Sequence, residues 1–397
     1  VSATPIQRSV ETVTARRGPR LLLDPWLLLA TLGLIGCSLA VLKGATRNDI
    51  PGSPLYFFER QLGYAIVGLL LMALIARFDY SRLREFKLPL YGALIGLNVL
   101  VLGLGSVARG SRRWISLPFF QFQPSELGKV LLVVALSAFV VDRSRRLHER
   151  ETTARLMLLA LVPAALVMIQ PDLGTALVYV ALALSVLFVA GTSGRQLWSL
   201  IGLFAVATAL VLVAAPAVGV HVLKPYQVER LTGFVNPSHD PRNATYQVNQ
   251  SLIAIGSGEK TGRGVEHATQ TGLNFLPEHH TDFVFSVVGE TYGFAGAALV
   301  LSLYALLIWR TLRIVTLAKN LFGALIAGGI LAMLMFQIFV NVGMTIGIMP
   351  ITGVTLPLMS FGGASYLTTV LALGLLQSIH VQGRIAQSSK GRALVLS

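Results

Sequence analysis

The chain has 397 residues, 54% of them apolar and only 13% charged, with 32 Lys+Arg against 18 Asp+Glu and a net charge of +14. A soluble globular chain carries about 25% charged residues. Half that value, with mean hydropathy +0.69 and repeated apolar runs long enough to span lipid, argues against a soluble nucleic-acid-binding domain despite the basic charge and reads as a polytopic membrane protein.

In chain order, residues 1–25 are polar and basic (Arg8, Arg16, Arg17, Arg20). They read as a cytoplasmic tail and not as a cleavable signal, since no small-residue cleavage site follows the first apolar run. Ten apolar segments follow, near 26–42, 61–76, 89–107, 125–141, 155–170, 174–190, 197–220, 283–309, 321–347 and 356–380. Each is expected to be a helix, because lipid cannot satisfy an exposed backbone and the runs are too evenly apolar for barrel strands. The expected fold class is therefore an all-α polytopic membrane protein, one ten-helix membrane domain over 26–380 with a long extracytoplasmic loop at 221–281 and a cytoplasmic tail at 381–397. With the N-terminus inside, the inside loops, "DRSRRLHER" among them, hold most of the Lys and Arg, as the positive-inside rule requires. Cys37, the single cysteine, excludes an intramolecular disulfide.

The 221–281 loop holds five of the seven histidines (His221, His239, His267, His279, His280). Within it, "YQVNQSLIAIGSG", which contains Gln250, is amphipathic and could lie in the outer interface as a short helix ended by its glycines.

At the end of that loop "LNFLPEHHTDFVFS" concentrates Glu278, His279, His280 and Asp282 at the lip of an apolar segment. A carboxylate at the membrane–water boundary is costly unless solvated, paired or used. If 277–285 is helical, Glu278 and Asp282 share a face at i, i+4, while His279 and His280 diverge by about 100°. Three readings stand: an acid/base constellation, a solvated lip that fixes the helix in the bilayer, or a metal site, although "EHHTD" lacks the HExxH spacing.

Glu126 and Lys129, in "FQFQPSELGKVLLVVAL", are i, i+3 neighbours that can pair inside a membrane where neither would survive alone. They are either a structural ion pair or a polar patch facing a polar substrate. Glu290, in "VVGETYGFAG", is an intramembrane acid, functional by default unless Thr291, Tyr292 and Gly293 give it ordinary hydrogen bonds. Asp172, in "QPDLGT", is expected to cap the helix that follows. The outer basic residues Arg60, Arg109, Arg112, Arg113, Lys224, Arg230, Arg242, Lys260 and Arg263 suit phosphate headgroups or plain lipid anchoring. "LPLMSFGGAS", with Pro357 and a Gly pair, allows close helix approach or a broken helix facing a cavity.

Taken together and in this order, "RRWISLPFFQFQPSELGK", "QPDLGTALV", "YQVNQSLIAIGSG", "GLNFLPEHHTDFVFSVVGETYGFAG" and "NVGMTIGIMPITGVTLPLMSFGGAS" resemble the SEDS proteins of bacterial cell-wall growth, the RodA/FtsW group, and resemble its elongation branch more than its division branch. The resemblance implies a ten-helix peptidoglycan glycosyltransferase of the cytoplasmic membrane. Its substrates would be lipid II and the growing glycan strand, and its partners a class B penicillin-binding protein and other elongation-complex membrane proteins. Both termini would be cytoplasmic and the active site extracytoplasmic. The family's essential aspartate falls on Asp282, its buried acid–lysine pair on Glu126 and Lys129, its polar residue of "FQPSE" on Gln123 and its outer arginine on Arg60. Arg113, His280, Thr281, Gln250 and Glu290 are expected around the cavity. Gln121, Thr291, Phe361 and Ala364 depart from the usual pattern, at peripheral contacts. No cofactor is called for, except a divalent cation at the lipid diphosphate as an alternative to basic side chains. A lipid II flippase and a scaffold that only activates the transpeptidase are the rival readings.

Overall fold

The computed structural model describes residues 23–47, 49–108, 111–116, 121–210, 230 and 244–396. Residues 1–22 of the expected basic tail, and 221–229 and 231–243 of the long loop, including Lys224, Arg242, His221 and His239, lie outside the described residues, as does Arg109; the end of the expected tail, Asp24 and Pro25, instead begins the first helix.

The chain is mostly helical: α1 (Pro25–Ala45), α2 (Tyr56–Arg77), α3 (Lys87–Leu104), α4 (Pro124–Asp142), α5 (Arg150–Ile169), α6 (Leu173–Val189), α7 (Gly194–Ala209), α8 (Ala244–Ser257), α9 (Thr269–Gly272), α10 (Val284–Leu317), α11 (Leu321–Thr345) and α12 (Gly363–Leu396). Among the described residues, eight of these are long and apolar enough to cross a membrane, and α6 is a shorter apolar helix. Helix starts follow local chemistry. Asp24 caps α1, accepting from the amides of Trp26 and Leu27, with Pro25 supplying a preset first turn. Asn320 caps α11 in the same way.

Burial separates centre from rim. In α4 and α12, 83% of the apolar window is buried, against 17% in α3 and 22% in α2. Helices α4, α11 and α12 form the core, α2 and α3 lean on it, and their outer faces (Leu70, Leu74, Leu88, Leu104) are left bare for lipid. A three-stranded antiparallel sheet, β1 (Ser106–Ala108), β2 (Ser111–Ser116) and β3 (Gln121–Phe122), interrupts the helical pattern between α3 and α4. Ser106 pairs with Trp114, and Ile115 with Phe122.

Two breaks set up the functional end. Helix α10 is kinked at Gly293, where φ is 62° and ψ −156°. A broken span needs other partners for its freed backbone. Residues 259–264 supply them: the amides of Phe294 and Ala295 donate to the carbonyls of Glu259 and Lys260 at 2.9 and 3.1 Å, while those of Arg263 and Gly264 donate to Glu290 and Thr291 at 2.9 and 3.1 Å. A Cβ on Gly293 would lie 2.3 Å from the Gly262 nitrogen, so only glycine permits this approach.

The second break moves the expected last span. Residues 350–362 are not helical, α12 begins at Gly363 and not near 356, and it runs on through the stretch expected to be a tail. Side chains from elsewhere satisfy the open segment: Ser38 donates to Met359 O at 2.9 Å, and Tyr304 to Pro357 O at 2.5 Å.

Candidate active site

Asp282 sits in a tight turn, not in the helix expected over 277–285. Glu278 adopts the left-handed conformation (φ 54°), and the amides of Thr281, Asp282 and Phe283 all converge on its carbonyl at 3.1, 3.1 and 3.3 Å. The i, i+4 face expected for Glu278 and Asp282 is therefore not formed. The left-handed residue at the front of the turn prevents helix from starting before Val284.

The turn is clamped from behind. Three successive carbonyls are each claimed by the segment from α11 to α12. Phe361 N donates to His280 O at 2.9 Å, Ser360 Oγ to Thr281 O at 2.6 Å, and Asn341 Nδ2 to Asp282 O at 2.9 Å. Asn341, fully buried, also donates to Val354 O at 2.8 Å. The Asp282 side chain remains half-buried. A Cβ placed on Gly353 would lie 3.7 Å from Asp282 Oδ2 and 3.6 Å from Arg230 Nη1, so carboxylate and guanidinium flank the same small residue.

Residues 352–354 carry this cluster across to a second one. A Cβ on Gly174, at the start of α6, would lie 2.8 Å from Thr352 O and 2.7 Å from Val354 Cγ2. Two residues before it, Asp172 caps α6 as expected, accepting from Thr175 N at 3.1 Å and Thr175 Oγ1 at 3.0 Å. It also accepts from Gln123 Nε2 at 2.9 Å and has Arg113 Nη1 at 3.9 Å. Gln123 is the N-cap position of α4, and within the next two turns Lys129 Nζ bridges both Glu126 oxygens at 2.7 and 2.8 Å. The pair is nearly sealed, with side-chain exposures of 8% and 2%. Two polar groups result: Arg113, Gln123 and Asp172 where α4 meets the start of α6, and Asp282 with Arg230 at Gly353, in the loop that packs on Gly174 of α6.

Other expected residues fall elsewhere. Glu290 is fully buried, and its oxygens accept from Gln270 N (2.8 Å), Thr271 N (3.0 Å) and Thr271 Oγ1 (2.6 Å). These partners come from α9, not from Thr291, Tyr292 or Gly293, because the fold lays α9 across the half-helix of α10. A cavity of about 520 Å³ opens beside that wall, lined among others by Arg47, Glu266, His267, Thr269 and Thr271. None of Asp282, Glu126 and Lys129 lines it. Arg60 is exposed and stacks on Tyr56 with its guanidinium 4.4 Å from the ring centre. Gln250 is half-buried on α8, whose Ser251 is locked to Ser286 Oγ and Thr345 O, both at 2.6 Å. That anchoring makes α8 part of the bundle wall, with Leu252 and Ile253 facing outwards. Thr281 donates its hydroxyl to Glu278 Oε2 at 3.0 Å.

His279 and His280 do not diverge. Both turn toward Asp49, on the loop after α1, and the Oδ2 of that residue lies 3.1 Å from His279 Nε2 and 3.8 Å from His280 Nδ1. Asp49, Asn341 and Gly353 were not singled out by sequence reasoning. Asp49 gave no signal beyond a polar loop, whereas Asn341 and Gly353 lie inside a motif that did.

Residues 19–385 match the family described as "Cell cycle protein", FtsW/RodA/SpoVE. The chain is 38% identical over 370 residues to a protein of Escherichia coli (strain K12) named peptidoglycan glycosyltransferase MrdB, covering 92% of this chain and 96% of that one. Among solved structures it resembles a chain of a peptidoglycan synthase complex described as coordinating polymerization and crosslinking, with TM-score 0.76, 34% identity and coverage of 91% and 99%. It also resembles the rod shape determining protein RodA of Thermus thermophilus, with TM-score 0.64, 31% identity and coverage of 91% and 98%. By a family match across most of its length and by relatives aligned nearly end to end, this chain belongs to the FtsW/RodA/SpoVE family, as its motifs had implied.

Proposed function

We propose that the chain is a peptidoglycan glycosyltransferase that polymerises lipid II at the outer face of the cytoplasmic membrane during cell elongation, with Asp282 as general base. The observation that carries the proposal is Asp282 itself: its turn is fixed through the backbone carbonyls of residues 280–282, and its half-buried side chain shares the flank of Gly353 with Arg230. The names of the relatives supply the reaction class.

The reaction joins the GlcNAc 4-hydroxyl of one lipid-linked unit to the MurNAc anomeric carbon of another, and lipid diphosphate leaves. A sugar hydroxyl is a poor nucleophile and needs a base as it attacks. Asp282 takes that proton. Direct displacement inverts the anomeric centre, so no second nucleophilic carboxylate is needed, in contrast to retaining glycosidases. The departing diphosphate needs positive charge; Arg230, which flanks Gly353 together with Asp282, and Arg113 are the proposed sources, with a divalent cation as the alternative. The Glu126–Lys129 pair, neutral overall, shapes the floor below Gln123. The excess of Lys and Arg in the loops assigned inside supports cytoplasmic termini, and the synthase complex that the fold resembles supports a class B penicillin-binding transpeptidase as partner.

The test is polymerisation of purified lipid II by the chain together with its transpeptidase. Asp282→Asn keeps shape and hydrogen bonding but cannot accept the proton, and is expected to lose about 10²- to 10⁴-fold in rate. An Asp282→Asn protein that polymerises at the unmodified rate removes the base assignment. Translocation of fluorescent lipid in proteoliposomes, with no polymer formed, would instead establish a flippase.

A further inference from the structure

We infer that Asp49, His279 and His280 form a binding site for a divalent first-row transition-metal ion, one that ties the loop after α1 to the turn carrying Asp282. The inference goes beyond glycan polymerisation and does not rest on it.

Three atoms define the site: Asp49 Oδ2, His279 Nε2 and His280 Nδ1, all within 4.8 Å of one another. The first two are 3.1 Å apart and the first and third 3.8 Å. Ligand atoms about 2.0–2.2 Å from a tetrahedral ion are about 3.4 Å from each other, and the observed separations straddle that value. The Asp49 and His279 side chains are enclosed, with 11% and 5% exposure.

The contact between Asp49 and His279 is not an ordinary hydrogen bond. At 3.1 Å the distance would suffice, yet neither Asp49 Oδ2 nor His279 Nε2 has a hydrogen-bond partner among the described residues. The ring nitrogen does not aim an N–H at the carboxylate. The other ring nitrogen explains why. His279 Nδ1 lies 3.2 Å from Leu276 O, and a carbonyl only accepts, so Nδ1 carries the hydrogen. In the neutral ring Nε2 then holds the lone pair. A proton on Nε2 would not point at Oδ2, so the buried nitrogen and carboxylate oxygen that face one space are best joined by a cation lying between them. A backbone carbonyl fixing the second nitrogen is also the usual outer support of a metal-bound histidine.

The remaining ligand is held as firmly. The His280 ring packs on Phe57 with centroids 4.5 Å apart and stands edge-on to Phe361 at 6.0 Å. Its carbonyl receives Phe361 N. Two imidazoles and one carboxylate favour zinc, cobalt, manganese or iron over calcium or magnesium, which seek all-oxygen sites. Three protein ligands leave a position for water or a substrate oxygen. The ion would neutralise Asp49 and pin His280, two residues before Asp282.

The experiment uses the full chain in detergent, its affinity tag removed, stripped with chelator and titrated with cobalt(II). One equivalent should bind and give the visible absorption of tetrahedral cobalt. Asp49→Asn and His279→Gln should each weaken binding by at least the 10- to 100-fold that loss of an outer partner costs, whereas His267→Ala, outside the cluster, should retain it. X-ray absorption of the zinc-loaded unmodified chain should show scattering from two imidazoles, which keeps the test decisive if a variant does not fold. Absence of stoichiometric binding, unchanged binding by Asp49→Asn and His279→Gln, or an all-oxygen shell around zinc would each overturn the site. No activity is read, so failure here and failure of the polymerase proposal are separate outcomes.

Discussion

Removing one partner of the Glu126–Lys129 pair tests how the bundle tolerates charge. Lys129→Met keeps the length of the side chain and deletes the ammonium that bridges both carboxylate oxygens at 2.7 and 2.8 Å. With Glu126 only 8% exposed, water cannot take over. An uncompensated buried charge costs about 3–5 kcal/mol. At about 1 °C per kcal/mol for a chain of 397 residues, the melting temperature should fall by about 5 °C. Pairing the change with Glu126→Gln removes the second charge while keeping the volume, and should return stability to within about 1 kcal/mol of the parent, because replacing a whole buried pair is often neutral. Thermal unfolding of the four proteins in one detergent, read as a double-mutant cycle, gives the comparison. A Lys129→Met protein as stable as the parent, or a double variant as unstable as the single one, would refute the picture of a desolvated pair. A stable double variant that no longer polymerises lipid II would show that the pair acts on substrate and not only on the fold.

Three further outcomes are expected. Asn341→Leu strands the carbonyls of Asp282 and Val354; at about 1–3 kcal/mol for each buried unsatisfied group, both stability and polymerisation rate should drop, and an unchanged rate would show that the clamp does not position Asp282. Gly293→Ala forces a Cβ to 2.3 Å from the Gly262 nitrogen at φ 62°, so loss of protection of the 259–264 amides by hydrogen exchange is expected, and full retention would contradict the kink. Asp79, capping the short 3-10 helix after α2, has its carboxyl held below the usual range: burial raises it, but the Ser81 amide and hydroxyl and the Lys319 ammonium outweigh burial. A depressed carboxyl stabilises fully above its unfolded value of about 4 and loses that contribution as pH falls through its folded value. Asp79→Asn should therefore lower the melting temperature slightly at neutral pH and not at the acid end.

Much was legible from the order of residues because a bilayer is a demanding solvent. It favours hydrogen-bonded helix for apolar runs, so composition and run length alone marked ten segments, and among the described residues a helix covers part or all of each, the last starting at Gly363 and not near 356. The Glu126–Lys129 pair was legible for a related reason, since i, i+3 spacing is a local fact of one helix. Asp172 was legible as a cap, but its reach to Gln123 and Arg113 was not, because those partners arrive from a different helix and strand. Local spacing also misled. A helix over 277–285 would have aligned Glu278 with Asp282 and parted the two histidines; the left-handed Glu278 did neither, and it turned both rings to Asp49. Glu290 was recognised as an intramembrane acid, yet its partners lay on α9, some 20 residues upstream. Periodicity and the price of exposing backbone to lipid act within one segment, and they determined the helices. Which carbonyls clamp Asp282, and which carboxylate meets the histidines, depend on contacts between segments far apart in the chain, and only packing in three dimensions decided them.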